Sequence, residues 1–455
     1  MPKQTKLRIM ILLMIILVRQ SQILGAPITL PAVTNAALEN SFEIKKQERK
    51  VAIQKAELQA AWSEVFPKLD TQYSVNYTDY SVSGRDPLAK INVGSELISV
   101  YPFPQAKYRG GLDISLTQSL YAGGRIMANI DIQAIRVEQE LLAFQEIKES
   151  VLTASLEAFW NYYDAYLDKD FFRSCLNALQ TKKQNAILKR AQGLTTRYQE
   201  LGIELEILNA QEDSKKATYQ CQLKYAELQA IAHSNDLPTT PNSQVQSHAQ
   251  LVQRWNTLKS TNGDSDLYLK RQKLDVIIRQ KMQIIESSKF LPEVGFRSGV
   301  NYFNSDNDSL KAAGQYLKYG SFFAAVTVNW NWFNGFKDAA NSQKSSLEKE
   351  IAELDVTERV QSNQITTQQL TQTVENAIAG VQRTEKSYEL AVELANNTEA
   401  LRKVEKTTQE AVFDAQDRLR KSESNRVKAC IGAELALIKW CQAAHSLDNY
   451  TKGAL

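Results

Sequence analysis

Residues 66–77 read FPKLDTQYSVNY, and residues 291–302 read LPEVGFRSGVNY. Aligned on Pro67 and Pro292, both run from a proline through an alternating segment to the same Val-Asn-Tyr, at Val75–Tyr77 and Val300–Tyr302. In the first, Leu69, Thr71, Tyr73, Val75 and Tyr77 share one face and Asp70, Gln72, Ser74, Asn76 and Thr78 the other, the period-two pattern of a β-strand. In the second, Val294, Phe296, Val300 and Tyr302 oppose Gly295, Arg297, Gly299 and Asn301. Two more runs alternate in the same way. Leu112, Ile114 and Leu116 oppose Asp113, Ser115 and Thr117, and Val326, Val328, Trp330 and Trp332 oppose Thr327, Asn329 and Asn331. The patterns predict four strands, over 69–79, 112–121, 293–303 and 322–333.

Outside these runs the period changes. No proline falls between Pro104 and Pro238 or after Pro292, and there the apolar residues recur at threes and fours, as in Ile126, Ile130, Ala134, Val137, Leu141 and Phe144. From about Ala122 to about Arg190 this predicts one helix of about 100 Å, which is stable only when coiled against others. The plan is helix, proline, strand, loop, strand, glycine, long helix, turn, helix, stated twice. The second strand of each copy ends at glycine, in LYAGGR with Gly123 and Gly124 and in WFNGFK with Gly335. The helical returns also echo, RYQELGIELEILNAQ from Arg197 against RKVEKTTQEAVFDAQ from Arg402. The division is therefore a first repeat over 27–232 with a hairpin tip near 198–203, and a joining segment over 233–263 containing Pro238 and Pro241. A second repeat over 264–448 has its tip near 400–408, and a tail covers 449–455.

Residues 1–26 carry Lys3, Lys6 and Arg8 before an apolar run from Ile9 to Val18 and end in Gly25 and Ala26, the layout of an export signal peptide. Its removal takes four basic residues and no acid. The remaining 50 basic and 51 acidic side chains are near balance and give no electrostatic case for nucleic acid. No later stretch is apolar for the roughly 20 residues that a spanning helix needs. Cys175, Cys221, Cys430 and Cys441 form no CxxC pair, and His233, His248 and His445 lie apart from one another, so no metal site, cofactor or catalytic triad is expected. A helical hairpin turning at residue 198 would level Cys175 with Cys221. A turn near Gly202 would offset them by about eight residues and leave all four thiols free, and the offset is favoured.

Strands of about ten residues with one apolar face and aromatics toward their ends suit a transmembrane barrel, with long polar connections (Ser81 to Gly111 and Asn304 to Gly320) on one side and helices on the other. A soluble sandwich, half buried by its own helices, is the alternative. Four strands cannot close a barrel, and open edges in lipid leave backbone groups unpaired, so several chains must share one. Two would give eight strands filled by side chains, whereas three would give twelve and leave a pore.

The duplicated plan, the FPKLDTQY and LPEVGFRS strand starts, the QSLYAGGR junction and the RYQELGIELEILNAQ return together resemble the TolC family of outer-membrane efflux and secretion channels, over about Leu30 to Ala444. The resemblance implies an α+β membrane protein in the outer membrane of a Gram-negative-type cell. It implies a homotrimer sharing a twelve-strand barrel, and very long antiparallel coiled-coil helices forming a tunnel through the periplasm. Such a protein is a passive exit duct, not an enzyme, serving a tripartite efflux pump or type I secretion system through a periplasmic adaptor and an ABC or proton-driven inner-membrane exporter. The runner-up is a soluble periplasmic coiled-coil adaptor or structural protein. By the same resemblance the periplasmic gate falls at Asp414 and Glu410, with Ala411 where the family often has its first acid. Glu206, equivalent to Ala411 in the echo, would add charge near the same level, and Arg402 stands where a gating aromatic is common. Solvated surface is the bland alternative for these acids. The adaptor-docking tips carry Arg197, Tyr198 and Gly202, with Thr407 replacing that glycine in the second copy. Tyr73, Tyr77, Tyr302, Trp330 and Trp332 are the expected membrane-interface aromatics.

Overall fold

The computed structural model describes residues 27–78, 89–100, 106–193, 196–234, 237–242, 246–260, 266–306, 308–447 and 450–451. The expected signal peptide lies outside the described residues. Helices α1 (Leu30–Asn40) and α2 (Phe42–Trp62) lead to strand β1 (Lys68–Tyr77), the hairpin β2 (Ala89–Val93) and β3 (Glu96–Val100), and strand β4 (Tyr108–Ala122). Two long helices follow, α3 (Arg125–Ala191) and α4 (Arg197–Ala232). The order then recurs as α5 (His248–Ser260), α6 (Leu267–Ser288), β5 (Glu293–Asp306), a short α7 (Leu310–Gln315), β6 (Tyr319–Asn329), α8 (Lys337–Lys403) and α9 (Gln409–Ala443). Helices α3 and α8 each have 67 residues, and each returns through a five-residue turn into a helix of 36 or 35 residues. Among the described residues no helix is long and apolar enough to cross a membrane.

The chain forms two compact units. One, Val51–Gln139 with Gln272–Asp355, holds a four-stranded antiparallel sheet in the order β1-β4-β5-β6. Directly opposed residues share a face, so the register sorts the side chains: Leu69 meets Leu116, Tyr73 meets Leu112, Leu112 meets Tyr302, and Val300 meets Phe322. That face is apolar. The other carries Asp70, Asp113, Ser115 and Arg297, with Arg297 3.6 Å from the Asp113 carboxylate. In the same unit α6 is tied to α3 by Lys281–Asp131 at 2.8 Å and to α8 by Arg279–Glu348 at 3.2 Å.

The structure corrects several boundaries. β4 begins at Tyr108 rather than 112, and β5 continues to Asp306. β6 starts at Tyr319 and stops at Asn329, four residues short of the expected end. Trp330 donates its indole N–H to the Phe290 carbonyl at 3.1 Å and stacks on Trp332 at 4.2 Å, which takes the chain out of the ladder. The two long polar connections contain the β2–β3 hairpin and α7, so six strands, not four, are described.

The other unit, Met1–Lys50, Glu140–Arg271 and Val356–Leu455, is mainly helical over its described residues and holds the main apolar core, with Leu156, Phe159, Leu228, Leu251, Val381, Leu437 and Ile438 in one cluster. The segment expected to join the copies is part of this core. Leu251, Trp255 and Leu258 of α5 are buried at helical spacing, and Ile28 bridges to Pro241. Helix α5 thus fills in the second copy the place of α1 in the first, and the second repeat begins inside the span read as a linker. Of the expected tail, residues 450–451 are described, and Tyr450 belongs to this core as well. Tyr450 is fully buried, its hydroxyl donates to Glu434 at 2.7 Å, and Arg254 of α5 holds both the Glu434 carboxylate at 3.1 Å and the Tyr450 carbonyl at 2.9 Å. Burial pushes the Glu434 carboxyl upward in pKa, the Arg254 charge and the Tyr450 and Arg254 hydrogen bonds oppose it, and removing the arginine would cost about 3–5 kcal/mol.

A second polar cluster gathers around His445. Its Nδ1 lies 2.6 Å from Glu149 of α3 and its Nε2 3.5 Å from Asp266, which caps α6 through the Leu269 amide. Asp266 also accepts from Asn363 and faces Arg359 of α8, while Glu146 pairs with Arg271 at 3.0 Å. Burial works against a charged His445, but the Glu149 hydrogen bond and the charges of Glu149, Asp266 and Glu146 outweigh it and raise its pKa above the ordinary 6.5. Burial raises Glu146 as well. Both groups bind protons more tightly when folded, so their stabilisation falls as pH rises. For His445 it is complete below about pH 6.5 and lost as pH climbs through the raised value. His445→Asn, which keeps a residue tolerant of the left-handed backbone found here (φ 48°), is expected to lower the melting temperature at pH 6 and to match the wild type at pH 9. An equal deficit at both pH values would mean the imidazole acts uncharged.

Candidate functional site

The two hairpin tips lie in the helical unit and are built differently. At the first, α3 ends at Ala191, with Lys189 and Arg190 in its last turn where cations suit the helix dipole. Gly193 takes φ +79°, a left-handed conformation that glycine reaches freely. Thr196 then caps α4 in a reciprocal box. Its hydroxyl accepts from the Gln199 amide, and the Gln199 side chain accepts from the Thr196 amide at 3.3 Å. Beneath the cap Glu200 is only 4% exposed and is held by Arg190 at 2.5 Å and by Arg197.

The expected tip at 198–203 is therefore a correction: α3 has ended by Ala191 and α4 begins at Arg197, and Gly202 lies inside α4 with nothing within 4 Å of an added Cβ. Tyr198 is 85% exposed, and Leu201, Leu205 and Leu208 continue an exposed apolar stripe along α4. The cysteine offset also changes direction. Cys175 lies 16 residues before the end of α3 and Cys221 24 residues after the start of α4, a stagger of eight, and all four cysteines are free.

At the second tip α8 ends at Lys403, Glu405 takes the left-handed conformation at φ 59°, and Thr408 caps α9 by accepting from Ala411 at 3.2 Å. Thr407 is a half-buried turn residue, while Arg402 and Glu410 are exposed. Helix starts fix the repeat register. Arg125 to Lys337 and Arg197 to Gln409 are both 212 residues apart, whereas the sequence echo pairs Arg197 with Arg402, 205 apart. The echo is slipped by one heptad, which preserves an apolar coiled-coil pattern and so hides the error. In the structural register Arg190 matches Arg402, Gly202 matches Asp414, and Glu206 matches Arg418 rather than Ala411. Glu200 matches Val412, which is 3% exposed: one buried site holds a carboxylate under two arginines in one copy and an isopropyl group in the other.

Glu206 and Asp414 nevertheless come together. Both line a cleft of about 450 Å³ between α3, α4 and α9, with Phe171, Phe172 and Phe413 on its walls. Glu206 is paired with Lys182 at 3.2 Å, and Asp417, in the same cleft, with Lys421 at 2.7 Å. Asp414 is exposed. Lys182, Asp213 and Asp417 escaped the sequence reading, since surface charges three and four apart on a helix carry no signal of a shared cleft.

On the sheet, the five selected aromatics are all exposed and divide by end. Trp330 and Trp332 stack beside Phe290, at the end where the helices begin, while Tyr77 pairs with Tyr108 at 5.3 Å at the other. Tyr73 and Tyr302 lie on the apolar face toward the tyrosine end, and the Tyr73 hydroxyl donates to the Gly314 carbonyl. No group of three metal-binding side chains is placed to hold an ion among the described residues.

The two glycines of the first tip should respond oppositely to alanine. Gly202→Ala is expected to stabilise α4 by about 0.5–1 kcal/mol, and Gly193→Ala to destabilise the tip by about 1 kcal/mol. Hydrogen exchange of the amides in residues 197–208 reads both. Destabilisation by Gly202→Ala would restore the turn to that position.

No family model and no curated relative matches the chain. Solved structures do. The channel protein CusC aligns with a TM-score of 0.72 at 12% identity, over 91% of each chain. The outer-membrane protein VceC of Vibrio cholerae aligns at 0.70 and 12% identity, over 91% of this chain and 95% of that one. The outer-membrane channel CmeC of Campylobacter jejuni aligns at 0.68 and 13% identity, over 93% and 89%. Through nearly its whole length, then, the chain has the fold of the TolC family of outer-membrane channels.

Proposed function

We propose that the protein is an outer-membrane channel, the passive exit duct of an export machine that spans the periplasm. One observation carries the reading: a four-stranded sheet whose apolar face is largely exposed and whose edge strands, β1 and β6, have no partner along their outer sides among the described residues. In water that face would cost about 25 cal/mol for each Å² left uncovered, and in lipid the open edges would leave backbone groups unpaired at several kcal/mol each. Further copies remove both costs. With β6 of one chain against β1 of the next, three chains close twelve strands around a lumen, whose lining would be the polar face with Asp70, Asp113 and Arg297.

Helix α8 supports the same assembly. Leu347, Ile351 and Leu354, and farther along Leu390, Leu394 and Leu401, are exposed at the spacing of a coiled-coil seam that awaits another helix. In this reading the hairpins form the periplasmic tunnel. Arg197, Tyr198 and the stripe behind them dock an adaptor, and an inner-membrane exporter supplies the energy. Asp414, Glu410 and Glu206 would line the entrance, converging on the symmetry axis as rings that attract cations. A soluble periplasmic adaptor is the competing reading.

The deciding experiment is the native mass of the exported protein extracted from outer membranes in detergent. Three chains per particle are expected, and a monomer released without detergent would overturn the channel. In planar bilayers, Asp414→Ala is expected to weaken block by multivalent cations added from the periplasmic side, and unchanged block would make Asp414 ordinary surface.

A further inference from the structure

The connection between β5 and β6 does not stand off the sheet. Helix α7 lies down on the apolar face, with Ala313 fully buried and the Ala313 carbonyl oxygen 2.1 Å from where a Cβ on Gly110 would fall, so only glycine fits beneath it. Two hydrogen bonds fasten it. The Tyr73 hydroxyl donates to Gly314 at 3.1 Å and the Asn304 amide to Ala312 at 3.1 Å. Ser309 caps its start by accepting from Ala312 at 3.2 Å, and Asp306 accepts from the Asp308 and Ser309 amides at 2.8 Å.

The exposed side chains of α7 and of the residues that follow it are apolar and basic. Leu310 is 49% exposed and Tyr316, the C-cap, 60%, and Lys311 on the helix and Lys318 beyond it are exposed as well, with Lys318 near enough to Asp306 to act on its charge. Of the two acids in the segment, Asp306 is engaged by the turn's amides, and Asp308 precedes the cap. The height of the helix on the sheet matters most. Along β5 the apolar face runs from Val294 to Tyr302, about 27 Å of strand, or about 20 Å of height at the tilt usual in barrels. Asn304, beneath α7, is the next residue on that face. The helix thus sits where the apolar band of β5 ends, on the face that the outer-membrane reading turns to lipid. An amphipathic helix at that depth presents its apolar residues to the acyl boundary and its lysines to headgroup phosphates.

We propose that α7 is a lipid-facing foot, with Leu310 and Tyr316 set in the outer-leaflet boundary and Lys311 and Lys318 holding the phosphates of anionic lipid. It rests on the outer-membrane reading above, and the test separates the two. The full chain, purified in detergent and reconstituted in vesicles containing anionic lipid, carries a nitroxide at Leu310→Cys or Val326→Cys. Both are made on a Cys175→Ser background, because Cys175 is the one native cysteine that is not buried. Relaxation by oxygen is compared with relaxation by a water-soluble nickel chelate.

Lipid-type ratios at both positions, several-fold above those of a water-exposed label, are expected. A lipid-type ratio at 326 with a water-type ratio at 310 overturns the foot and leaves the channel standing, whereas a water-type ratio at 326 overturns the membrane reading itself. Lys311→Glu with Lys318→Glu is expected to lower the anionic lipid retained through purification several-fold. Retention equal to the wild type overturns the phosphate contacts.

Discussion

Among the described residues, the backbone N–H and C=O groups of β1 and β6 that point away from the sheet meet no other strand, and apart from α7 at one end nothing covers the apolar face beside them. Neither condition is tolerable in a single solvent, because water penalises the face and hydrocarbon penalises the edges. The rest of the molecule is arranged around that double demand. The strands are long and regular where the face must be continuous, and the connections carry the irregular pieces. The long helices leave a seam of leucines open, so that the surfaces completing the sheet and those completing the helices are of the same kind.

Much of this was legible in the residues. Alternation located the four sheet strands because one face is apolar and the other polar, and the slip of a single residue would have reversed every side chain. The long helices were visible through the missing prolines and the recurring threes and fours. What misled was also physical. Trp330 and Trp332 continue the alternation past the strand, but their rings prefer one another and the Phe290 carbonyl to the ladder. Gly202 looked like a turn residue beside Arg197 and Tyr198, yet a capping threonine and Gly193, a few residues earlier, had already made the turn.

Other features leave no trace in a local reading. α7 is six residues long and owes its place to Gly110, some two hundred positions earlier, whose missing side chain makes room for it. Glu200 reads as one more surface acid in a charged stretch, and only the approach of Arg190 from the opposing helix shows it to be buried and paired. The cleft shared by Glu206 and Asp414 depends on three helices meeting. In each case the informative neighbour is remote in sequence.

The two outgoing helices match in length to the residue, and so do their turns, although the residues at the tips differ. This makes the hairpins a pair of rulers. Substitutions could accumulate freely on either one, as Val412 opposite Glu200 illustrates, while a gain or loss of residues in one alone would shift its tip by about 1.5 Å per residue and rotate its seam by about 100°. Only steps of a whole heptad keep the seam in line, and then only if the other ruler takes the same step. Length, rather than sequence, is the quantity in which the duplication has been preserved.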